Sequence, residues 1–135
     1  MIFVDSTIWV SGIDHSDTLH DDGAAVLKAI AGGHDFSTIT TDFVLDETLT
    51  LLRKRGAEAG RITEAIRGIV TSNKVVLLFV DEPLFQAGLV TFKKYPKLSF
   101  TDAISLTVMQ QRRIREIFSH DSDFDIRGIV RKERP

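Results

Sequence analysis

The chain alternates short apolar runs with longer segments of helical periodicity, and this alternation restricts the folds open to it. Val75–Val80 is an unbroken apolar run, which is the pattern of a parallel strand buried on both faces. Between the runs, apolar residues recur three and four positions apart, as in amphipathic helices. Strands are therefore predicted at Ile2–Asp5, Phe36–Thr40, Val75–Val80 and Ile114–Ser119, with a last edge strand at Val130–Lys132.

The helical segments between these strands have recognisable ends. Gly32-Gly33 stops the first of them, and Thr41 or Asp42 can cap the next. Strands separated by helices pair in parallel, and the helices cover both faces of the sheet. The order predicts one α/β domain over residues 1–135, a three-layer α/β/α sandwich with a mostly parallel central sheet. The long helices are expected at Thr41–Arg55, Ala57–Thr71, Asp81–Tyr95 and Phe100–Arg113.

Composition excludes several classes of protein. Apolar residues make up 43% of the 135, enough for a core and too many for a disordered chain. The absence of Cys excludes disulfide and thiolate chemistry. No apolar segment approaches the roughly 20 residues of a membrane-spanning helix, and the N-terminus reaches Asp5 without the long apolar stretch of a signal peptide. We therefore expect a cytoplasmic protein that does not associate with membranes.

Four acidic residues, far apart in sequence, occupy comparable places in this predicted fold. Asp5 ends the first strand, Glu47 lies within the helix after the second, Asp102 opens the last long helix, and Asp121 follows the fourth strand. The ligand cleft of a parallel sheet lies outside the carboxyl ends of its strands, so these side chains can converge there. Gathered carboxylates repel one another and call for a cation. Oxygen ligands without Cys or a His pair select Mg²⁺ or Mn²⁺ over Zn²⁺.

Each acid also has an ordinary structural interpretation. Asp5 can cap the following helix, Asp102 sits in a first helical turn where the dipole favours an acid, and a mid-helix acid such as Glu47 is usually solvated. Asp46 points away from Glu47 by about 100° of helix rotation, and Glu47 is favoured because its longer side chain reaches further. The metal-site hypothesis rests on the ordered combination and not on any one acid.

The segment Asp121–Asp125 has acids at alternate positions, as at the start of an EF-hand loop. That motif needs Gly sixth and Glu twelfth, and these positions hold Ile126 and Lys132, so a calcium loop is excluded. Asp121 is the favoured fourth metal ligand, with Asp123 as a further one. All four His are interpreted as non-ligands, because none has the spacing of a ligand pair.

Three stretches of the chain, in this order, resemble the motifs of the PIN-domain family of metal-dependent ribonucleases. The resemblance extends over nearly the whole length and looks closest to the small toxins of VapBC-type toxin–antitoxin modules. Glu47 fits the helix glutamate that the family supplies as its second acid. The three stretches are Phe3–Thr7, Ser99–Ala103 and Ser119–Phe124.

The resemblance implies a function and partners. The four acids would be metal ligands and catalytic residues of an endoribonuclease that cuts single-stranded or loop RNA, as a homodimer controlled by a small protein antitoxin. The hydroxyl groups of Ser6, Thr101 and Ser119 could orient the carboxylates or touch phosphate, although helix capping explains them equally well. Aromatic candidates for antitoxin contact, for which core packing is the commoner fate, are Trp9, Phe43, Phe85 and Phe92.

The formal net charge of −2 argues by itself against a nucleic-acid binder. Setting aside the four acids that a metal would neutralise leaves +2. Basic runs at helix ends usually stay solvated and complement the helix dipole, yet a polyanion could also meet them. The runs are Arg53–Arg55, Lys93-Lys94 with Lys97, Arg112-Arg113 with Arg115, and Arg131-Lys132 with Arg134.

Other classes of protein share the α/β pattern. Asp81 after Val75–Val80 mimics the phosphorylated strand end of a receiver-type signalling module, but that module needs a pair of acids after the first strand, where Ser6 follows Asp5. An aspartate-nucleophile phosphatase needs an acid two residues after Asp5, where Thr7 stands. A PIN-like fold kept only for binding would not require all four acids.

Overall fold

The computed structural model describes all 135 residues and confirms the α/β class expected from the alternating pattern. A five-stranded sheet of order β3-β2-β1-β4-β5 forms the centre, and every neighbouring pair is parallel. None of the helices has the length and apolarity that a bilayer crossing requires. The strands are β1 Ile2–Val4, β2 Thr38–Thr41, β3 Val75–Leu78, β4 Glu116–Phe118 and β5 Val130–Lys132; the helices are α1 Ser6–Ile13, α2 His20–Ala31, α3 Asp42–Lys54, α4 Ala59–Thr71, α5 Glu82–Lys94 and α6 Phe100–Gln111, with a short 3₁₀ helix at Ser122–Phe124.

The helices form two groups. α1 packs on α2 and α3, and α3 packs on α4, whereas α5 packs mainly on α6. The chain steps from β1 through β2 to β3 on one side, then crosses to β4 on the other side of β1. Because parallel crossovers are right-handed, this reversal directs the α5–α6 pair to the opposite face of the sheet. The junction of β1 and β4 is therefore the topological switch point, where parallel sheets bind ligands.

The strands at this junction are embedded in the core. Phe3 and Val4 are fully buried and pair with Ile117 and Phe118 of β4. On one side they are supported by α6, in which every residue from Asp102 to Met109 is buried. A helix buried on all sides cannot rotate or slide without opening the core. The first turn of α6, which contains Asp102, is thus held firmly against the carboxyl edge of the sheet.

The expectation of a doubly buried strand at Val75–Val80 is wrong. β3 ends at Leu78 and is an edge strand, with Val76 exposed to 42% and Phe79, just beyond the strand, to 66%. An apolar run alone does not reveal whether both faces of a strand are covered, because that depends on the position of the strand in the sheet and on the helices that pack over it. The segment after Asp5 forms the eight-residue helix α1. The long helices agree with expectation, with ends displaced by a residue or two.

Gly23 marks the closest approach of α2 to α1. A Cβ atom there would overlap Ser11 Oγ and lie 2.5 Å from the Gly12 backbone nitrogen. Since backbone atoms cannot move aside as a flexible side chain can, we expect Gly23→Ala to lower the free energy of unfolding by about 2–3 kcal/mol in urea denaturation. The matched control is Gly68→Ala in α4, where a Cβ meets nothing within 4 Å. It should raise the free energy of unfolding by about 0.5–1 kcal/mol, and equal effects of the two substitutions would contradict the tight α1–α2 contact.

Candidate metal centre

Three of the four predicted acids converge at the carboxyl edge of the sheet. One carboxylate oxygen from each of Asp5, Glu47 and Asp102 lies within 4.8 Å of the other two. Asp5 follows β1, Glu47 lies in the second turn of α3, and Asp102 lies in the first turn of α6. Three elements that are distant along the chain thus each contribute one carboxylate to a single cluster beside the switch point.

Asp5 is buried, at 1% exposure, yet only one of its oxygens has hydrogen-bond partners. Oδ2 accepts bonds from Thr7 Oγ1 at 2.8 Å and Ser119 Oγ at 2.9 Å, and from the Thr7 amide at 3.4 Å. Oδ1 is buried without a partner. Burial raises the pKa of Asp5 above its ordinary value, and the bonds from Thr7 and Ser119 oppose that rise. A buried carboxylate oxygen without a partner is unfavourable unless a proton or a cation satisfies it.

The hydroxyl groups of Thr7 and Ser119 connect Asp5 to the loop after β4. The amide of His120 donates to Thr7 Oγ1 at 2.9 Å, and the amide of Asp121 donates to Ser119 Oγ at 3.0 Å. Each hydroxyl therefore accepts a bond from the loop and donates one to Asp5. Ser119 is among the hydroxyl residues predicted from the sequence, whereas Thr7 is not. A signal for Thr7 was present, since a hydroxyl residue two positions after an Asp can close a local turn with it.

Glu47 is directed towards the cluster by a hydrogen bond. Ser6 Oγ donates to Glu47 Oε2 at 2.7 Å. Burial raises the pKa of Glu47 most, the Ser6 bond opposes this, and the negative charges of Asp5, Asp121 and Asp46 raise it further. The neighbouring Asp46 is exposed and does not belong to the cluster, in keeping with its rotation about the helix axis.

Burial raises the pKa of Asp102 to about 7; the charge of Asp5 adds to this effect, while the bond with Ser99 at the helix start opposes it. A shift of that size means that ionising Asp102 in the folded protein costs on the order of 4 kcal/mol more than ionising a solvent-exposed aspartate. The N-termini of α1 and α6 face the cluster through Asp5 and Asp102, and each stabilises an anion by about 0.3–1 kcal/mol. The helix ends therefore offset only part of the cost of burying charged carboxylates next to one another.

Asp121 lies beside the group of three and does not belong to it. Its Oδ1 accepts a bond from the Asp123 amide at 2.8 Å and caps the short 3₁₀ helix, while its charge still raises the pKa values of Glu47 and Asp102. Asp123 is likewise outside the group. The hydroxyl of Thr101 bonds none of these carboxylates.

The donor set fits a hard divalent cation. Every member is a carboxylate oxygen, as Mg²⁺ and Mn²⁺ prefer, and Asp5 Oδ1 is a buried donor atom without a partner. No Lys or Arg forms a salt bridge with the clustered acids, so the protein supplies no counter-charge of its own. His120, which precedes Asp121 in the loop after β4, places Nε2 3.0 Å from Ser11 Oγ.

Two of the remaining expectations concern residues away from this cluster. Asp81 caps α5, accepting a bond from the Leu84 amide at 3.0 Å, and is not a member of the cluster of three acids. Trp9 is 1% exposed and its Nε1 donates to Thr40 Oγ1, so it is a core residue and not a partner contact. Phe43 is half-buried, while Phe85 and Phe92 keep substantial exposure.

Comparisons with known proteins give a consistent result. A family model described as PIN domain matches residues 2–129. A VapC ribonuclease of Archaeoglobus fulgidus is 30% identical over 131 residues, covering 95% of this chain and 81% of that protein. The 23S rRNA-specific endonuclease VapC20 of Mycobacterium tuberculosis is also 30% identical over 131 residues, covering 96% of each chain.

Solved structures agree with the fold. The crystal structure of Mycobacterium tuberculosis VapC20, described as a sarcin-ricin loop cleaving toxin, superposes with a TM-score of 0.82 and 27% identity over 96% of this chain and 97% of that one. A toxin–antitoxin complex from Klebsiella pneumoniae has a TM-score of 0.66 and 18% identity, with 96% of each chain covered. At that identity the second likeness concerns the fold alone.

The raised pKa of Asp102 predicts how the metal-free protein responds to pH. Between the ordinary pKa of 3.8 and about 7, the folded state binds more protons than the unfolded state, so the free energy of unfolding falls as pH rises through this range. Asp102→Asn removes the ionisable group and therefore this pH-dependent loss of stability. We expect the variant in EDTA to be more stable than wild type at pH 8 by roughly 2–4 kcal/mol, with little difference near pH 4. Urea denaturation across this range measures the effect, and a variant less stable than wild type at every pH would mean that Asp102 has a structural partner.

Proposed function

Since this chain belongs to the PIN domain family, we propose that it is a divalent-metal-dependent endoribonuclease that acts as the toxin of a toxin–antitoxin pair. The relatives named as a ribonuclease and an rRNA endonuclease support the activity, at 30% identity over nearly the whole chain. The observation on which the proposal rests is the convergence of Asp5, Glu47 and Asp102, with no cation of the protein's own beside them.

We assign the metal site to these three carboxylates, with Asp121 as a fourth and Asp123 as a further ligand on the loop that follows β4. Mg²⁺ and Mn²⁺ are the cations proposed, because all the donors are hard oxygens. A bound divalent cation supplies Lewis-acid chemistry, polarising the phosphodiester group and acidifying the attacking water.

The residues around the carboxylates set their orientation. Thr7 and Ser119 hold Asp5 by Oδ2, which leaves Oδ1 free for a ligand. Ser6 does the same for Glu47. The Thr7 and Ser119 hydroxyls orient Asp5, and a water activated by the cation would suffice as the nucleophile. We infer that water attacks the phosphorus.

We further propose a protein antitoxin and a homodimer, as the family resemblance implies. For the dimer, α5 offers an apolar surface that the chain itself leaves open, since Phe85, Leu89, Val90 and Phe92 are all exposed. A basic side chain of an antitoxin, placed among the clustered acids, would compete with the cation for the same oxygens. We propose the cytoplasm as the place of action, because an RNA substrate is found there.

The assignment of the cluster predicts a sharp difference between neighbouring acids. Asp5→Asn and Glu47→Gln should each reduce metal-dependent cleavage of a mixed RNA pool on the order of 100-fold or more, because each removes a charged ligand. Asp46→Asn is the matched control and should cleave at the wild-type rate, since Asp46 is exposed and outside the cluster. Cleavage is followed by mapping RNA ends with Mg²⁺, Mn²⁺ or EDTA. A folded Asp5→Asn variant with wild-type activity would refute the assignment.

Cation binding should also be visible without catalysis. A cation that binds only the folded state raises the melting temperature, so millimolar Mn²⁺ should stabilise wild type and Asp46→Asn alike. Asp102→Asn should gain much less, because it lacks one clustered ligand. Differential scanning calorimetry against an EDTA baseline measures the three shifts. Equal shifts in Asp102→Asn and wild type would place the bound cation elsewhere.

A further inference from the structure

The basic runs of the chain differ in whether acids neutralise them. The run Arg112-Arg113 with Arg115 has no salt bridge at all, and neither has Arg127. The run Lys93-Lys94 with Lys97 is also without a salt bridge. In the run Arg53–Arg55 only Arg55 is paired, whereas Arg131, Lys132 and Arg134 are all paired. Their ion pairs are Arg55 with Asp14 and Asp17, Arg131 with Asp125 and Glu133, Lys132 with Glu116, and Arg134 with Asp22.

Three of these unpaired arginines line one cavity of about 380 Å³. We call it the arginine cleft: Arg113 after α6, Arg115 before β4 and Arg127 before β5, with Tyr95 beside an apolar floor that includes Met109. All three arginines are exposed, and their side chains make no hydrogen bond within the protein. No acidic residue lines the cleft. Apolar walls with a few convergent charged groups are the usual composition of a ligand site.

The helix dipole explains only part of this cluster. Arg112 and Arg113 stand at the C-terminus of α6, where a cation is favoured without any ligand. Arg115 precedes a strand, and Arg127 lies in a loop. Neither residue lies at the C-terminus of a helix, so the helix dipole does not account for their place beside Arg113.

The backbone of Arg113 supplies a second observation. Arg113 has φ of 55° and is the only non-glycine residue with positive φ. It occupies the position after the helix end where glycine is usual, and the Ile114 amide closes the turn on the Met109 carbonyl at 2.8 Å. An arginine there keeps an unfavourable conformation that glycine would adopt freely. Strain of this kind is a recognised sign of a functional side chain.

The arginine cleft lies at the opposite end of β4 from the metal centre. Arg115 precedes the strand and Ser119 follows it, a separation of roughly 13 Å at about 3.3 Å per residue. That distance equals the axial length of about four stacked nucleotides. A short RNA bound at the carboxylates would not reach the cleft around the protein surface, whereas a longer or folded RNA could contact both.

We propose that the arginine cleft is a second RNA contact, which binds the substrate away from the carboxylates. Phosphates meet Arg113, Arg115 and Arg127, and an unstacked base lies against Tyr95 and the apolar floor. Bidentate pairing with guanidinium groups serves carboxylate and phosphate alike, so it does not distinguish RNA from an acidic peptide. RNA suits the cleft better because its bases can also stack on Tyr95 and on the guanidinium planes. The identity of the ligand as substrate rests on the proposed nuclease function.

The test compares two RNA probes with the full chain: a single strand of about three nucleotides, which when stacked is shorter than the separation of the two sites, and a hairpin of about 30. The variant is the double substitution Arg115→Gln with Arg127→Gln, and the matched control is Arg67→Gln, an exposed arginine of α4 that pairs weakly with Glu64. Binding is measured by fluorescence anisotropy in EDTA over a salt series, so that no cleavage occurs. Cleavage of both probes is then measured with Mn²⁺.

We expect the double variant to bind the hairpin about tenfold more weakly than wild type near 0.1 M salt, with a salt slope smaller by about 2, one for each phosphate that no longer meets an arginine. Its KM for the hairpin should rise without a change in kcat, and cleavage of the short strand should stay as in wild type. Arg113→Gly should also weaken hairpin binding while leaving the melting temperature unchanged or higher, because glycine relieves the strained backbone. Arg67→Gln should behave as wild type throughout.

Hairpin binding by the double variant within about twofold of wild type, at the same salt slope, would overturn the proposal. Binding of poly-glutamate that depends on these arginines, with RNA binding unaffected, would overturn it as well.

The nuclease function is tested separately. If wild type cleaves neither probe while the double variant loses hairpin binding, the nuclease assignment fails and the arginine cleft stands. If wild type cleaves both probes and the double variant binds and cleaves the hairpin as wild type does, the arginine-cleft proposal fails and the nuclease assignment stands.

Discussion

The parallel pairing of β1 with β4 is the interaction on which the rest of the molecule depends. The Asp5 amide donates to the Phe118 carbonyl at 3.1 Å, which places the end of β1 directly beside the loop that follows β4. From that loop, two backbone amides reach the hydroxyls of Thr7 and Ser119, and both hydroxyls bond one oxygen of Asp5. A shift in this pairing would separate the carboxylate from the groups that orient it, because each bond depends on the register of the two strands.

The same geometry makes the metal-free site unfavourable. Asp5, Glu47 and Asp102 all have raised pKa values, with burial as the first cause, and no basic side chain pairs with them. Helix N-termini relieve part of the repulsion, and a cation would relieve the remainder. A cluster that is destabilising without its ligand is typical of sites where function opposes stability. The hydroxyl groups of Ser6, Thr7 and Ser119 orient Asp5 and Glu47 without a positive charge that would take the place of a cation.

Charge is distributed unevenly, and the net charge of −2 conceals this. The acids gather at the carboxyl end of β1 and β4, whereas the unpaired Arg113, Arg115 and Arg127 gather beyond the other end of β4. A polyanion responds to the local potential and not to the sum over the molecule. Mild overall acidity is therefore compatible with RNA binding, provided that a cation masks one end and the arginines attract at the other.

The sequence by itself determined what depends on local interactions. Helix periodicity, the capping role of Thr41, and the alternation of strands and helices all follow from residues within a few positions of one another. Asp5 could be interpreted locally as a helix cap or as a ligand, and the structure allows both, because Oδ2 caps α1 while Oδ1 remains free.

Only the tertiary structure decided what depends on segments that meet from far apart. It made β3 an edge strand in spite of its apolar run, brought Glu47 and not Asp46 to the cluster, and kept Asp121 beside the group of three. It also left the arginines of the cleft unpaired, whereas Arg131 forms salt bridges with Asp125 and Glu133. Such outcomes depend on strand order, helix packing and side-chain reach across the fold. Local sequence favoured Glu47 over Asp46 but could not place it beside Asp5 and Asp102.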